Sequence, residues 1–244
     1  MKQKLVMLTA YDFPSAQLVD EVGVDYLLVG DSLAMTILGY PDTRSITMDE
    51  MLHHVKAVVR GAPQSKIIAD MPVNSYKTSI QALANAKRFM KAGVYGVKIE
   101  GNPKEVIKIL IANNITVMGH LGLLPQTAEK YRIHGKKPAE AQQIIYDAQL
   151  LDALGVIAIV LECVPENLAK QISDDIVTPT IGIGAGVYCD GQVLVTADII
   201  GLSGFSGRMV KQYADVRSVI KQALQAFKRD VQNNTFPAKE HSFS

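Results

Sequence analysis

Several short apolar segments of the chain end on a charged or polar residue that is followed by loop-like sequence. Their end residues are, in order, Asp31, Asp70, Glu100, His120 and Glu162. Carboxylates at the ends of successive buried strands are suited to hold a metal ion over the open mouth of a barrel enzyme. An all-oxygen set of Asp31, Asp70 and Glu100 favours Mg²⁺, which keeps positions open for water or substrate.

Each of these three acids could instead cap a helix or pair with a lysine. Three like charges at neighbouring strand ends would repel one another, at about 4 kcal/mol for a pair ~4 Å apart in an effective dielectric of ~20. A cation must offset that repulsion, or the acids must be partly protonated. Their occurrence on three consecutive predicted strands therefore favours the metal site over the structural alternative.

Lys98 and Ser32 are candidate substrate contacts. Lys98 and Glu100 are two residues apart on one predicted strand, so their side chains point to the same side. An inward ammonium group would neutralise part of the acidic cluster or bind the carboxylate of an acidic substrate, and a simple salt bridge is the alternative. Ser32 could donate a hydrogen bond to the same ligand, although serine is also common in turns.

Glu162 and His120 are candidates for proton transfer. Glu162 ends the sixth strand, away from the metal trio, and a carboxylate there can act as a general base. A buried glutamate bonded to backbone is an equal alternative. His120 could position substrate or carry a proton, and a buried histidine with satisfied hydrogen bonds is as good an interpretation. The remaining histidines show no ligand spacing.

Eight strand-like segments rich in β-branched residues alternate with helical patterns, which implies a parallel sheet. The predicted strands are residues 5–10, 25–30, 66–70, 95–100, 115–119, 156–161, 179–183 and 198–202. Polar ends recur from the second strand to the sixth instead of at one switch point. This favours a (β/α)8 TIM barrel over a doubly wound open sheet. Without a linker or a break in composition, residues 1–244 are predicted to form a single catalytic domain.

The helical patterns have recognisable ends. Apolar residues between Met48 and Val59 follow helical spacing, with Thr47 as the predicted N-cap. A second helix is predicted from Pro138 to a stop at Gly155, and a third carries the apolar positions between residues 216 and 231.

Composition and charge are those of an ordinary globular protein. The 244 residues are 48% hydrophobic and 20% charged, and a net charge of +1 gives no case for a nucleic-acid or membrane surface. No apolar stretch reaches the ~18 residues of a membrane helix. Only Cys163 and Cys189 are present, without a CxxC pattern, which fits a reducing compartment. We expect a soluble, cytoplasmic protein.

A glycine-rich segment, Gly182–Gly186, follows the seventh predicted strand, where barrels often bind phosphate. It lacks the GxGxxG pattern of dinucleotide sites, so we expect its glycines to allow close approach of backbone to a ligand or a loop.

Taken in order, the motifs of this chain resemble those of the ketopantoate hydroxymethyltransferase family along nearly the full length. The similar segments are Thr9-Ala10-Tyr11-Asp12, Val29-Gly30-Asp31-Ser32-Leu33, Ala69-Asp70-Met71-Pro72, Val97-Lys98-Ile99-Glu100-Gly101, Gly119-His120-Leu121-Gly122-Leu123, Leu161-Glu162-Cys163-Val164-Pro165, Ile181-Gly182-Ile183-Gly184-Ala185-Gly186 and Pro237-Ala238-Lys239-Glu240-His241-Ser242-Phe243. The resemblance implies a TIM barrel, usually a homodecamer, that makes ketopantoate from 3-methyl-2-oxobutanoate in pantothenate biosynthesis. It also implies Mg²⁺ and 5,10-methylenetetrahydrofolate as the one-carbon donor.

On the matching positions, the resemblance implies roles for individual residues. Asp31, Asp70 and Glu100 would be associated with the metal, and Glu162 would be the catalytic proton acceptor. The substrate-binding residues that it implies are Asp31, Ser32, Asp70, Lys98 and His120.

Two departures from the family pattern bear on folate binding. The loop after Gln126 is shorter than is usual in the family, and Gly207–Lys211 differs from the family's Pro-Lys-Phe-Val-Lys stretch.

Two other functions stay open. One is a carbon–carbon lyase or phosphoenolpyruvate mutase of a related barrel superfamily, although the Lys-Lys-Cys-Gly-His loop typical of those enzymes is absent from the sequence. The other is a non-catalytic barrel that binds an α-keto acid.

Overall fold

Eight parallel strands close into a barrel in sequence order, and β8 (Gly191–Leu194) pairs with β1 (Leu5–Thr9). The computed structural model describes residues 3–128 and 130–243. The other strands are β2 (Tyr26–Val29), β3 (Ile67–Asp70), β4 (Gly96–Glu100), β5 (Thr116–Gly122), β6 (Ile159–Glu162) and β7 (Thr180–Ile183). The TIM-barrel prediction is confirmed.

Helices lie between consecutive strands, except in the described segment 184–190 between β7 and β8. The helices are α1 (Phe13–Val22), α2 (Leu33–Thr36), α3 (Met48–Gly61), α4 (Ser79–Ala92), α5 (Lys104–Ala112), α6 (Pro138–Leu154), α7 (Glu166–Asp175), α8 (Thr196–Ile199) and α9 (Val216–Gln232). The predicted N-cap of α3 is confirmed, because Thr47 and Glu50 bond reciprocally in a capping box. Gly155 ends α6 in the left-handed conformation that glycine adopts without strain.

The position of the eighth strand was predicted wrongly. The sequence predicts a strand at 198–202, but Thr196–Ile199 forms the short helix α8 and the strand lies earlier, at Gly191–Leu194. Gly191 is a poor strand former by propensity. Its place beside β1 requires glycine, because a Cβ there would lie 2.6 Å from the carbonyl oxygen of Leu5. Tertiary contact with β1 therefore outweighs the local preference.

The barrel interior explains why polar residues end the strands. One apolar cluster fills the barrel, and it includes Met7, Leu28, Ile68, Met118, Val160, Ile181 and Val193. Alternate residues of a strand share a face, so the residue two positions further along points to the same side at the carboxyl end. By this rule Asp70 follows Ile68, His120 follows Met118 and Glu162 follows Val160. The mouth of the barrel is thus the polar continuation of its apolar interior.

The chain divides into two compact units, Met1–Val195 and Thr196–Ser244. The first contains the whole barrel. The second contains α8 and α9, and the predicted last helix is confirmed as α9. Its apolar residues Val219, Leu224 and Phe227 are exposed. Within the described residues, no helix is both long and apolar enough to cross a membrane. That residues 1–244 are a single domain stays a prediction.

Candidate active site

Asp31 and Asp70 lie side by side at the mouth. Asp70 is the last residue of β3, and Asp31 comes just after β2, which pairs with β3. The backbone N–H of Asp31 donates to Asp70 Oδ2 at 3.0 Å, and both residues are buried. A Cβ added at Gly30 would lie 3.5 Å from Asp70 Oδ2 and 3.0 Å from Ser32 Oγ. A side chain at Gly30 would therefore crowd the Ser32 hydroxyl.

Lys98 connects the two aspartates to the next strand. The register of β3 and β4 places Lys98 beside Asp70, and its Nζ lies 2.8 Å from Asp70 Oδ1 in a buried ion pair. Burial acts to lower the pKa of Lys98, but Asp70, Asp31 and Glu100 outweigh it and raise the pKa. The ammonium group is thus held in its charged form inside the barrel mouth.

His120 lies between two carboxylates. Its Nδ1 is 3.5 Å from Glu100 Oε1, and its Nε2 is 3.1 Å from Glu162 Oε2. Nδ1 also lies 3.4 Å from Lys98 Nζ. Burial and the Lys98 charge act to lower the pKa of His120, yet Glu100 and Glu162 raise it to about 9. His120 therefore carries a proton near neutral pH in this arrangement and links the acidic side of the mouth to Glu162.

Ser32 faces Tyr11 at the same rim. Tyr11 Oη and Ser32 Oγ are 2.8 Å apart, and the backbone carbonyl of Tyr11 lies 2.6 Å from His54 Nδ1. Burial raises the pKa of Tyr11 to about 12, so its hydroxyl stays protonated and can orient Ser32. His54 has no ligand spacing in the sequence, yet it supports the site indirectly through the backbone of Tyr11.

Gln126 and Tyr76 are site residues that the sequence analysis did not identify. Gln126 Nε2 donates to Asp31 Oδ2 at 2.8 Å, and its backbone N–H donates to Glu100 Oε2 at 3.1 Å. Tyr76 Oη donates to Gln126 Oε1 at 2.6 Å. Neither residue ends a strand, so the pattern that reveals the acids does not reveal them. The available signal is that Gln126 follows β5 closely, in a loop that starts at the same rim.

The side chains of Asp31, Asp70 and Glu100 do not converge on one point as a complete set of metal ligands. Within residues 3–128 and 130–243, no group of three or more His, Cys, Asp or Glu side chains is arranged to hold a metal ion. Asp31 and Asp70 lie together, whereas Glu100 contacts His120 and Gln126. Glu129, in the loop after Gln126, is outside the described residues.

Negative charge is in excess at the mouth, and this bears on whether a cation fits. Burial, Asp70 and Glu100 raise the pKa of Asp31 well above its usual range, although Lys98 and Gln126 oppose them. A divalent ion beside Asp31 and Asp70 would offset that penalty, and carboxylate oxygens are the donors that Mg²⁺ prefers. The donor chemistry and the charge both fit a hard divalent cation.

Comparison with known proteins identifies close relatives. The sequence model of the family described as ketopantoate hydroxymethyltransferase matches residues 1–239. A 3-methyl-2-oxobutanoate hydroxymethyltransferase of Thermotoga maritima is 48% identical over 100% of this chain and 93% of that protein. Proteins of the same name from Carboxydothermus hydrogenoformans and Syntrophus aciditrophicus are 49% and 47% identical over 99% of this chain, covering 91% and 92% of their own lengths.

Solved structures share the fold at low identity. A phosphoenolpyruvate phosphomutase from Streptomyces platensis subsp. rosaceus has a TM-score of 0.64 at 13% identity, covering 100% of this chain and 88% of that one. A 2,3-dimethylmalate lyase has a TM-score of 0.62 at 14% identity, covering 99% and 87%. The barrel is thus shared with lyases and mutases, and the fold alone does not choose among their activities.

The family match makes that choice. It covers nearly the whole chain, and its named members are transferases of the ketopantoate-forming step. The resemblance of the sequence motifs and the hydroxymethyltransferase activity that it implied are both confirmed. The chain belongs to the ketopantoate hydroxymethyltransferase family.

Proposed function

We propose that this protein transfers a hydroxymethyl group from 5,10-methylenetetrahydrofolate to 3-methyl-2-oxobutanoate at the mouth of the barrel. The supporting observation is the unbroken series of polar contacts from Asp31 through Asp70, Lys98 and His120 to Glu162. This series joins a site for a cation to a carboxylate that can take a proton, and enolate chemistry needs both.

Asp31 and Asp70 would hold Mg²⁺, since they lie together and their oxygens suit a hard ion. Glu100 would contribute to the same cation site, because its carboxylate lies at the same rim, in contact with Gln126 and His120. When bound, the ion would polarise the carbonyl group of the keto acid.

Lys98 and Ser32 would orient the keto acid. Lys98 keeps its charge inside the mouth because three acids surround it, so it can attract the carboxylate of the substrate. Ser32 Oγ lies at the same rim and is held by Tyr11. A charge and a hydroxyl group at fixed positions would turn C3 of the substrate towards Glu162, and such orientation contributes to catalysis in its own right.

Glu162 would accept the proton from C3. Its side chain is 13% exposed, and it contacts His120. As C3 loses this proton it becomes a carbon nucleophile and forms a bond to the one-carbon unit. Both bonds of that carbon to folate nitrogens break, and water supplies the hydroxyl group. The two nitrogens take up the proton removed from C3 and the remaining proton of the water, so tetrahydrofolate is released. His120, charged near neutral pH, can accommodate the change of charge on Glu162 by moving its own proton.

Hydrogen exchange at C3 tests this function without folate. The protein is incubated with 3-methyl-2-oxobutanoate and Mg²⁺ in D₂O, and the C3 proton signal is followed by NMR. We expect exchange that requires both protein and Mg²⁺, and ketopantoate once the folate is added. Binding of the keto acid without exchange would contradict the proposal in favour of a non-catalytic barrel. Cleavage of a hydroxy-diacid would instead indicate a lyase.

We also propose, from the family resemblance, that the protein is a cytoplasmic homo-oligomer, with ten subunits as the expected number. Light scattering coupled to size-exclusion chromatography measures the mass of the assembly. With a chain of 26.5 kDa, a monomeric mass would contradict the oligomer.

A further inference from the structure

Gln126 forms hydrogen bonds at one rim of the barrel through its side-chain amide and its backbone N–H. Its Nε2 donates to Asp31 Oδ2 at 2.8 Å and to the backbone carbonyl of Met71 at 2.9 Å. Its backbone N–H donates to Glu100 Oε2 at 3.1 Å. Met71 directly follows Asp70. One buried residue, through its side chain and its backbone N–H, therefore contacts all three strand ends whose acids make up the proposed metal site.

Tyr76 fixes which way the Gln126 amide points. The tyrosine hydroxyl lies 2.6 Å from Gln126 Oε1, and a phenol is protonated at neutral pH, so it donates to that oxygen. A flipped amide would turn Oε1 towards the Asp31 carboxylate and the Met71 carbonyl, which are both acceptors. It would also leave its NH₂ group facing the tyrosine hydroxyl. The amide is thereby held as a donor towards the acids.

Asp31 is held in place by this donor. It is 5% exposed, its backbone N–H donates to Asp70 Oδ2, and the Gln126 amide donates to its Oδ2. Without that donor the Asp31 carboxyl group would be free to rotate, and its oxygens would no longer be kept beside Asp70.

We propose that Gln126, oriented by Tyr76, is a positioning residue that holds Asp31 and the strand end after Asp70 in the arrangement that accepts a divalent cation. This role rests on the proposed metal site. It assigns a function to two residues outside the predicted ligand set, and it makes affinity for the cation depend on a neutral amide.

Titration with Mn²⁺, followed by electron paramagnetic resonance, tests the role without any turnover. Gln126→Met keeps the side-chain length and removes the donors, and we expect its Mn²⁺ affinity to fall about 10–100-fold, as for other residues that orient metal ligands. Tyr76→Phe should weaken binding in the same direction by a smaller factor. The matched control is Gln143→Met, because Gln143 donates to Asp147 at 3.0 Å on the exposed surface. It should bind Mn²⁺ as the wild type does.

Rescue by metal separates positioning from a general structural defect. The exchange rate of Gln126→Met should return close to that of the wild type at saturating Mg²⁺, because only the required concentration of metal has changed. Circular dichroism confirms folding. Mn²⁺ affinity within twofold of the wild type, or a rate that saturating Mg²⁺ does not restore, would overturn this role and leave the proposed function intact. If Gln126→Met fails to fold, unchanged Mn²⁺ binding by Tyr76→Phe overturns it. If the wild-type protein binds no Mn²⁺, the proposed metal site is wrong, and the positioning role of Gln126 is wrong with it.

Discussion

Two carboxylates at the barrel mouth have opposite surroundings. Asp70 is 3% exposed in its side chain and lies 2.8 Å from Lys98 Nζ, in an ion pair that is buried on both sides. Glu162 is 13% exposed and lies 3.1 Å from His120 Nε2. The first acid is paired with an ammonium group that stays charged. The second is paired with an imidazole, a group that exchanges protons more readily than an ammonium group, with its pKa raised here to about 9.

This difference suggests that ligand binding and proton transfer are carried out by different parts of the rim. A buried lysine–aspartate pair keeps its charges fixed, since removing either partner leaves an isolated charge in a region of low dielectric. Glu162 is more accessible and contacts a histidine, the side chain best suited to pass a proton on. We therefore interpret the β3–β4 side of the mouth as the part that binds and the β5–β6 side as the part that moves protons.

Replacing Glu162 should produce the largest effect on chemistry. Glu162→Gln keeps the size of the side chain but removes the proton acceptor, and a positioned general base typically contributes about 10²–10⁴-fold to the rate. We expect a fall of that size in C3 exchange, with keto-acid binding by calorimetry nearly unchanged. Glu166→Gln, in the exposed first turn of α7, is the matched control and should exchange normally. Exchange by Glu162→Gln within tenfold of the wild type would assign the base elsewhere.

Replacing Lys98 should produce the largest effect on stability. Lys98→Met leaves Asp70 buried without its ion-pair partner, and breaking such a pair costs about 3–5 kcal/mol. The free energy of unfolding from urea denaturation measures this loss. The control is Lys170→Met, because Lys170 and Asp174 form an ion pair on the surface, where such pairs contribute about 0–1 kcal/mol. Equal losses of unfolding free energy in the two variants would show that the buried Lys98–Asp70 pair contributes no more to stability than the surface pair.

Replacing Asp70 should weaken cation binding in addition to the loss of its buried ion pair with Lys98. Asp70→Asn keeps the shape of the side chain but removes one negative charge from the proposed cation site, so we expect Mg²⁺ affinity to fall by about tenfold or more, which is ~1.4 kcal/mol. Calorimetry measures this, together with retention of the keto acid. Asp152→Asn is the control, because Asp152 accepts from the backbone of Thr178 ahead of β7, at the opposite end of the barrel. Unchanged Mg²⁺ binding by Asp70→Asn would contradict its assignment as a ligand.

The places of the acids and of His120 at the mouth were predictable from the sequence for the same reason. Asp70, His120 and Glu162 extend the inward face of strands whose apolar residues are evident, so a pattern of period two locates them. Gln126 was not predictable, because a loop residue has no periodicity and its partners lie on three different strands. The prediction of the eighth strand was wrong for a related reason. Glycine at position 191 is required by the contact with Leu5, which is far away in the sequence, so local strand propensity does not indicate it.

The smallest expected effect is on the alkylation rate of Cys163. It tests whether Glu162 is negatively charged before any substrate binds. Burial raises the pKa of Cys163, the next residue, and the negative charge of Glu162 adds to this, giving about 11. The thiolate fraction is therefore small at pH 9 and rises about tenfold per pH unit towards pH 11. Glu162→Gln removes the charge contribution, lowers the pKa and should speed alkylation of Cys163 by iodoacetamide at pH 9 by about two- to threefold. Peptide mass spectrometry measures the rate, with the buried Cys189 as an internal reference and Glu166→Gln as the unchanged control. A rate that does not respond to Glu162→Gln would mean that Glu162 is neutral in the free protein, and a neutral carboxyl group cannot take the proton from C3.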